Sequence, residues 1–235
     1  MRKLTALLLA LALTLGLSAA FADTKITVTG SGEVLIPADV AVISLGVNVR
    51  SAEAPSAQAE ANEVIAKIRE ARTAAGIDEE DISTGYINLY AAYDYSSSVE
   101  RITGYNASST LAVKVTDMTR VGEVIDLAFG AGANMLDGVS FSAKDDTAAR
   151  AEALKAAVAD AKAKADVLAE AAGLGKLEID SIAESGVYAY DSGANNFSAK
   201  GMITEQAEDA ATVIRAAKIC VSASVTITYE AKQKD

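Results

Sequence analysis

The chain has 235 residues, with 21 basic against 32 acidic side chains, a net charge of −11, no histidine and one cysteine. An acidic balance of that size repels nucleic acid and anionic lipid, so neither is an expected partner. Without histidine, Ser-His-Asp and Cys-His arrangements cannot be built within one chain, and a lone cysteine allows neither an internal disulfide nor a His/Cys zinc site.

The first residues read as an address. Arg2 and Lys3 precede an almost unbroken Leu/Ala run over residues 4–17, and Ala20-Phe21-Ala22 supplies a small-x-small cleavage pattern. The run is too short to span a bilayer, which needs about 20 residues, so residues 1–22 are expected to be a cleaved secretory signal. No cysteine stands directly after the run, so no lipid anchor is expected at that point, and no later segment is apolar enough to cross a membrane. The expected product is exported, to a periplasm or to the extracellular or cell-wall space. About 210 residues then remain, enough to bury a real core without disulfides. Two sequons, at Asn106 and Asn196, matter only in a glycosylating host.

Residues 25–29 alternate as a strand, Gly30-Ser31-Gly32 is expected to break it in a turn, and a second strand covers 39–50. The glycine pair does not suit a dinucleotide loop, because a proline and a strand follow where a helix is needed. Over residues 51–75 the period changes: Ala57, Ala61, Val64, Ile65, Ile68 and Ala75 form one helical stripe, with Pro55 in the first turn and Gly76 as a left-handed cap. A long hairpin follows over 81–116, with its tip at 96–98 and Leu111, Val113 and Val115 on one face. Asp117 is expected to cap a helix ending near Phe129, and a strand follows over 134–143.

The strongest helix pattern covers 146–172. Asp145 or Asp146 caps it, and Leu154, Ala157, Ala161, Ala165, Leu168 and Ala172 form the expected inner face. Asp160 with Lys164, and Lys162 with Asp166, are i,i+4 pairs worth about 0.2–0.5 kcal/mol each. A strand over 177–190, a polar connection over 191–211 and a last strand over 212–229 complete the chain. The order strand–helix–strand–strand occurs twice, so the expected fold is α+β: two βαββ-like units of mostly antiparallel sheet with helices on one face. The first unit covers about 23–117, a linking helix 118–131 and the second unit about 133–235.

Several stretches together resemble the SIMPL domain, a domain of unknown function. These are G-S-G-E-V-L-I-P-A-D-V-A-V-I, D-I-S-T before a tyrosine-bearing strand, I-T-G-Y-N-A-S before V-K-V, and the helix R-A-E-A-L-K-A-A-V-A-D-A-K-A-K-A-D-V-L-A-E-A-A-G-L. The resemblance covers nearly the whole mature chain, departing from it in the lack of proline over 202–217. It implies an exported bacterial envelope protein of the immunogenic periplasmic-antigen type, associated with stress tolerance and homo-oligomeric assembly. It brings no catalytic residues.

The residues themselves offer little chemistry, and no catalytic, cofactor or metal residues are expected. Cys220 reads as a packed small hydrophobe. Glu79-Glu80-Asp81 and Asp145-Asp146 could serve as a calcium site or a hydrolase pair, but their position at element junctions fits caps and turns better. Tyrosine is the one clustered type: Tyr86, Tyr90, Tyr93, Tyr95, Tyr105, Tyr188 and Tyr190 all fall in the two hairpin regions. Tyr90, Tyr93, Tyr95, Tyr188 and Tyr190 are the candidate binding or assembly residues, with ordinary cross-strand packing as the alternative. Three function readings follow: a self-associating, non-enzymatic envelope protein with a structural or stress-protective role; a binding module for an envelope glycan, lipid or small metabolite; and a hydrolase using two carboxylates among Asp145, Asp146, Glu79 and Glu80.

Overall fold

The computed structural model describes residues 24–94, 100–193 and 212–233. The signal segment 1–22, Tyr95, the hairpin tip 96–98, Asn196 and most of the connection 191–211 lie outside the described residues. The order is β1 (Thr24–Pro37), β2 (Val40–Ser51), α1 (Ala54–Ala74), β3 (Ile82–Asp94), β4 (Arg101–Val115), α2 (Val121–Gly130), β5 (Met135–Ser142), α3 (Thr147–Ala171), β6 (Leu174–Asp191) and β7 (Lys218–Gln233). The strand–helix–strand–strand order does occur twice, as β2-α1-β3-β4 and β5-α3-β6-β7, and the fold is α+β. The strands form a sheet of order β3-β4-β2-β5 and a sheet of order β1-β7-β6. One strand of the second run thus joins the first sheet, and β1 flanks β7 where β2 flanks β4.

The chain divides into two compact units: Glu33–Ala153 with Val187–Ser222, and Met1–Gly32 with Leu154–Gly186 and Ala223–Asp235. In the larger unit β2 pairs antiparallel with both β4 and β5, so Ile43 lies opposite Val113 and Val139, and Leu45 opposite Leu111 and Leu136. Ile43, Leu45, Leu111 and Val113 are buried under α1 and α2, which supply Ala57, Ala61, Ile68, Val121, Val124, Ile125 and Ala128. The apolar stripe expected for α1 is the face that packs. Its C-terminal cap is also as expected: Gly76 has φ 78°, and Ile77 N–H returns to the Arg72 carbonyl. Asp117 caps something shorter than expected. Its carboxylate accepts from Thr119 N–H at 3.0 Å and opens a 3-10 turn, Met118–Arg120, ahead of α2.

Three elements depart from expectation. Strand β1 does not turn at Gly30-Ser31-Gly32 but runs straight through it. The glycine is there for space: a Cβ on Gly30 would stand 2.1 Å from the Ala157 carbonyl oxygen and 2.5 Å from the Ala161 nitrogen. The helix backbone rests directly on the strand. The inner face of α3 is therefore Ala149, Ala153, Ala157, Ala161, Ala165 and Ala169, one residue per turn, all buried. Leu168 and Ala172, expected inside, are exposed, because a leucine cannot enter an interface that tight. The last strand begins at Lys218, not at 212. From Val221 to Ala231 it alternates buried and half-buried, placing Ala223, Val225, Ile227, Tyr229 and Ala231 inside.

If that contact sets the helix height, Gly30→Ala forces backbone apart and should lower the unfolding free energy by about 1–3 kcal/mol, the usual cost of overpacking. Urea denaturation of the variant checks it; an unchanged midpoint would show that the helix can lift freely.

Candidate functional site

The tyrosines do not converge on one platform. Tyr90 and Tyr93 belong to β3, at one end of the four-stranded sheet, and Tyr188 and Tyr190 to β6, at one end of the other. Tyr95 is outside the described residues. Within β3, Tyr90 pairs with Asn106 and Tyr93 with Ile102 across a bulge in β4. Side chains alternate along β3, so Tyr90 and Tyr93 point to opposite faces. Tyr86 sits at a second bulge, where its N–H donates to Thr110 Oγ1 at 3.1 Å. Tyr105 packs against the Val47, Ala57, Ala61 and Ala107 cluster, which is the ordinary cross-strand role.

Tyr188 and Tyr190 are two apart and share a face of β6, both largely exposed. The nearby Cys220 thiol, followed by burial and the Glu33 charge, raises the Tyr190 pKa above the ordinary phenol value. Cys220 itself is free and buried, as its expected role as a small hydrophobe requires. Strand β3 exposes large apolar groups on both faces: Ile87 is 60 % exposed, with Leu89, Tyr90 and Tyr93 above 40 %; β6 likewise exposes Ile179, Ile182, Tyr188 and Tyr190, but interspersed with Lys176, Glu178, Asp180 and Glu184.

The acidic pairs are engaged locally. Asp145 accepts from Thr147 N–H at 2.9 Å at the start of α3, and Asp146 accepts from Arg150 Nε at 2.7 Å. Those bonds hold both carboxyls below the usual range. Glu79 pairs with Arg69 at 2.6 Å and Asp81 with Lys114 at 3.0 Å. A groove of about 720 Å³ in the larger unit lies against α2 and is lined by Ala71, Glu123, Asp126, Leu127, Ala131 and Thr212. Its acids are also occupied: Asp126 takes the hydroxyl and N–H of Thr212 at 2.6 and 3.1 Å, and Glu123 pairs with Arg120. Among the described residues no three His, Cys, Asp or Glu gather as a metal site, and no helix is long and apolar enough to cross a membrane.

Sequence reasoning missed Arg72. It looks like a cation suited to the last turn of α1, yet it is fully buried. Its Nη2 donates to the Val124 carbonyl of α2 at 3.3 Å, while Nε and Nη1 have no partner among the described residues. Burial pushes its pKa down to about 10. The only sequence signal was its spacing, four residues after buried Ile68.

Residues 26–229 match the SIMPL family, described as a protein of unknown function (DUF541). The chain belongs to the SIMPL family. A 26 kDa periplasmic immunogenic protein of Brucella melitensis is 32% identical over 142 residues, 58% of this chain and 57% of that protein. The Brucella abortus protein of the same name gives the same identity and coverage. The uncharacterized protein YggE of Escherichia coli K12 is 28% identical over 136 residues, 58% of this chain and 55% of that one. The matched part therefore spans little more than half of either SIMPL relative.

Two outcomes follow from the charges. Arg72→Met keeps the aliphatic stem and removes the orphaned nitrogens, so unfolding free energy should rise by about 1–3 kcal/mol. A cation with a lowered folded pKa penalises the fold while charged, and the penalty fades as pH rises through about 10. The gap between Arg72→Met and wild type in urea titrations should therefore narrow above that pH; a destabilised variant would mean the guanidinium is better satisfied than its contacts indicate. Separately, Asp145, Asp146 and Asp160 have lowered pKa values, so their contribution is complete above the ordinary carboxylate pKa and lost as pH falls through the folded one. With no histidine, melting followed by circular dichroism should be nearly flat from about pH 5 to 8 and fall below about pH 4.

Proposed function

We propose that this SIMPL protein is exported to the periplasm and works without catalysis, as a self-associating component with a structural or stress-protective role in the envelope. The observation that carries the reading is β3. Residues 82–93 lie at a sheet end without one charged side chain, and they expose Ile87, Leu89, Tyr90 and Tyr93. An uncharged, apolar edge strand is a template for pairing with another chain, which soluble proteins otherwise blunt. Export is supported by the leader-like residues 1–22 and by the word periplasmic in the name of the Brucella relatives. The non-catalytic part is supported by the lack of histidine and by the local engagement of the acid pairs.

Size-exclusion chromatography with light scattering on residues 23–235 tests it. Wild type should run as an oligomer, and Ile87→Lys/Leu89→Lys should raise the concentration needed for association at least about tenfold. A wild-type chain that stays monomeric at high concentration would end the reading.

Tyr188 and Tyr190 favour a second reading. Two exposed tyrosines on one face of β6 would suit a sugar ring or other flat envelope ligand. Titration of cell-wall fragments against tyrosine fluorescence separates it: Tyr188→Ala/Tyr190→Ala should lose the response about tenfold or more while association stays intact.

A further inference from the structure

Among the described residues strand β1 ends its sheet, and one row of its backbone groups has no strand beside it. At the middle of that row stand the Thr29 carbonyl and the Ser31 N–H, two residues apart and on the same side of the strand. Both are taken by one ion pair from α3. Lys164 Nζ donates to the Thr29 carbonyl at 3.0 Å, and Asp160 Oδ2 accepts from Ser31 N–H at 2.8 Å. Lys164 and Asp160 are themselves bonded at 2.7 Å, and Asp160 Oδ2 also lies 3.5 Å from Ser31 Oγ. One acceptor and one donor, offered two residues apart, are what a neighbouring strand would supply. Thr27 and Thr29 turn their hydroxyls to Thr228 and Thr226 of β7, so the solvent face beside the edge is regular and leaves it accessible. On the helix side, a groove of about 570 Å³ lined by Val28, Thr29, Ala163, Lys164, Val167 and Leu168 offers apolar cover to anything aligned along β1.

We propose that the Asp160–Lys164 pair is a side-chain plug that occupies the open edge of β1 in place of a strand, and that it prevents β1 from pairing with β1 of a second copy. The occupant follows from symmetry: every copy carries the same edge, and two identical edges can pair antiparallel about a two-fold axis. The pair can reach the edge because α3 lies on Gly30, between the two plugged groups. Lys162 and Asp166, bonded at 2.7 Å on the same helix, form an ion pair of the same spacing whose bond joins only the two side chains. They are the internal control.

The test compares Asp160→Ala/Lys164→Ala with Lys162→Ala/Asp166→Ala, reading Ser31 amide hydrogen exchange and sedimentation velocity over a concentration series. Unplugging should speed Ser31 exchange at least about tenfold and add a concentration-dependent dimer step beyond whatever wild type shows, while the control stays within about twofold of wild type. Asp160→Lys/Lys164→Asp provides a second variant. It keeps an i,i+4 pair on the helix but offers a donor to Ser31 N–H and an acceptor to the Thr29 carbonyl, so it should behave as unplugged. Unchanged Ser31 exchange in either folded variant overturns the plug. Faster exchange with no added association overturns its guarding role. Loss of the folded spectrum in both variants also overturns it, since the pair would then be holding the helix to the sheet. Wild type alone reports on the association proposed above, so the failure of that reading and the failure of this one are read from different samples.

Discussion

The contact between α3 and β1 at Gly30 governs the smaller unit. Alanine at every turn of one helix face, set against a strand position with no side chain at all, lets backbone meet backbone. Each alanine removes little apolar area from water, so such an interface gains from close atomic contact along its length more than from any one residue. It also tolerates no substitution by bulk. Two consequences follow from the same closeness. Leucine and valine on α3, including Val167 and Leu168, are forced outward, and the short Asp160 side chain can reach around the strand to its backbone.

The larger unit solves the packing problem differently. Along α1 the buried residues grow from Ala57 and Ala61 to Ile68 and Arg72. The small end sits against Val47 and Ala107, and the large end meets Val124 of α2. A guanidinium at the wide end fills volume and gives the Val124 carbonyl one bond, but leaves two nitrogens without any. Volume there is served at an electrostatic cost, since methionine would fill similar space without desolvating a charge.

Those two solutions explain what could be read from the sequence. Period alone located α1, α2, α3 and the hairpin, and Gly76 marked the end of α1 because that position needs a positive φ, 78°. Gly30 and Gly32 misled for a physical reason: a glycine that makes room and a glycine that makes a turn look alike until the neighbour is known. The middle of the α3 inner face, Ala157, Ala161 and Ala165, was as expected, and its two ends were misread because alanine occupies positions all round that helix, so the two leucines captured the stripe. Arg72 hid behind its suitability for a helix end. The tyrosine faces depended on bulges at Gly85–Tyr86 and near Thr103, which reset the pairing and leave no mark in composition. The candidate site was legible as a cluster in sequence and not as a place in space.

The sheet ends differ in how they are defended, and the difference bears on function. Strand β1 has its edge groups taken by an ion pair, β6 carries Lys176, Glu178, Asp180 and Glu184, and β5 carries Asp137, bonded to Ser44. Charges of this kind are how monomeric proteins keep edges from pairing. Strand β3 has none between Ile82 and Tyr93, in a chain whose net charge of −11 otherwise opposes contact between copies. Among the described residues, β3 is thus the sheet end that carries no charge along most of its length, from Ile82 to Tyr93. If copies of this chain associate through a strand edge, as proposed above, β3 is the edge whose pairing no charge opposes.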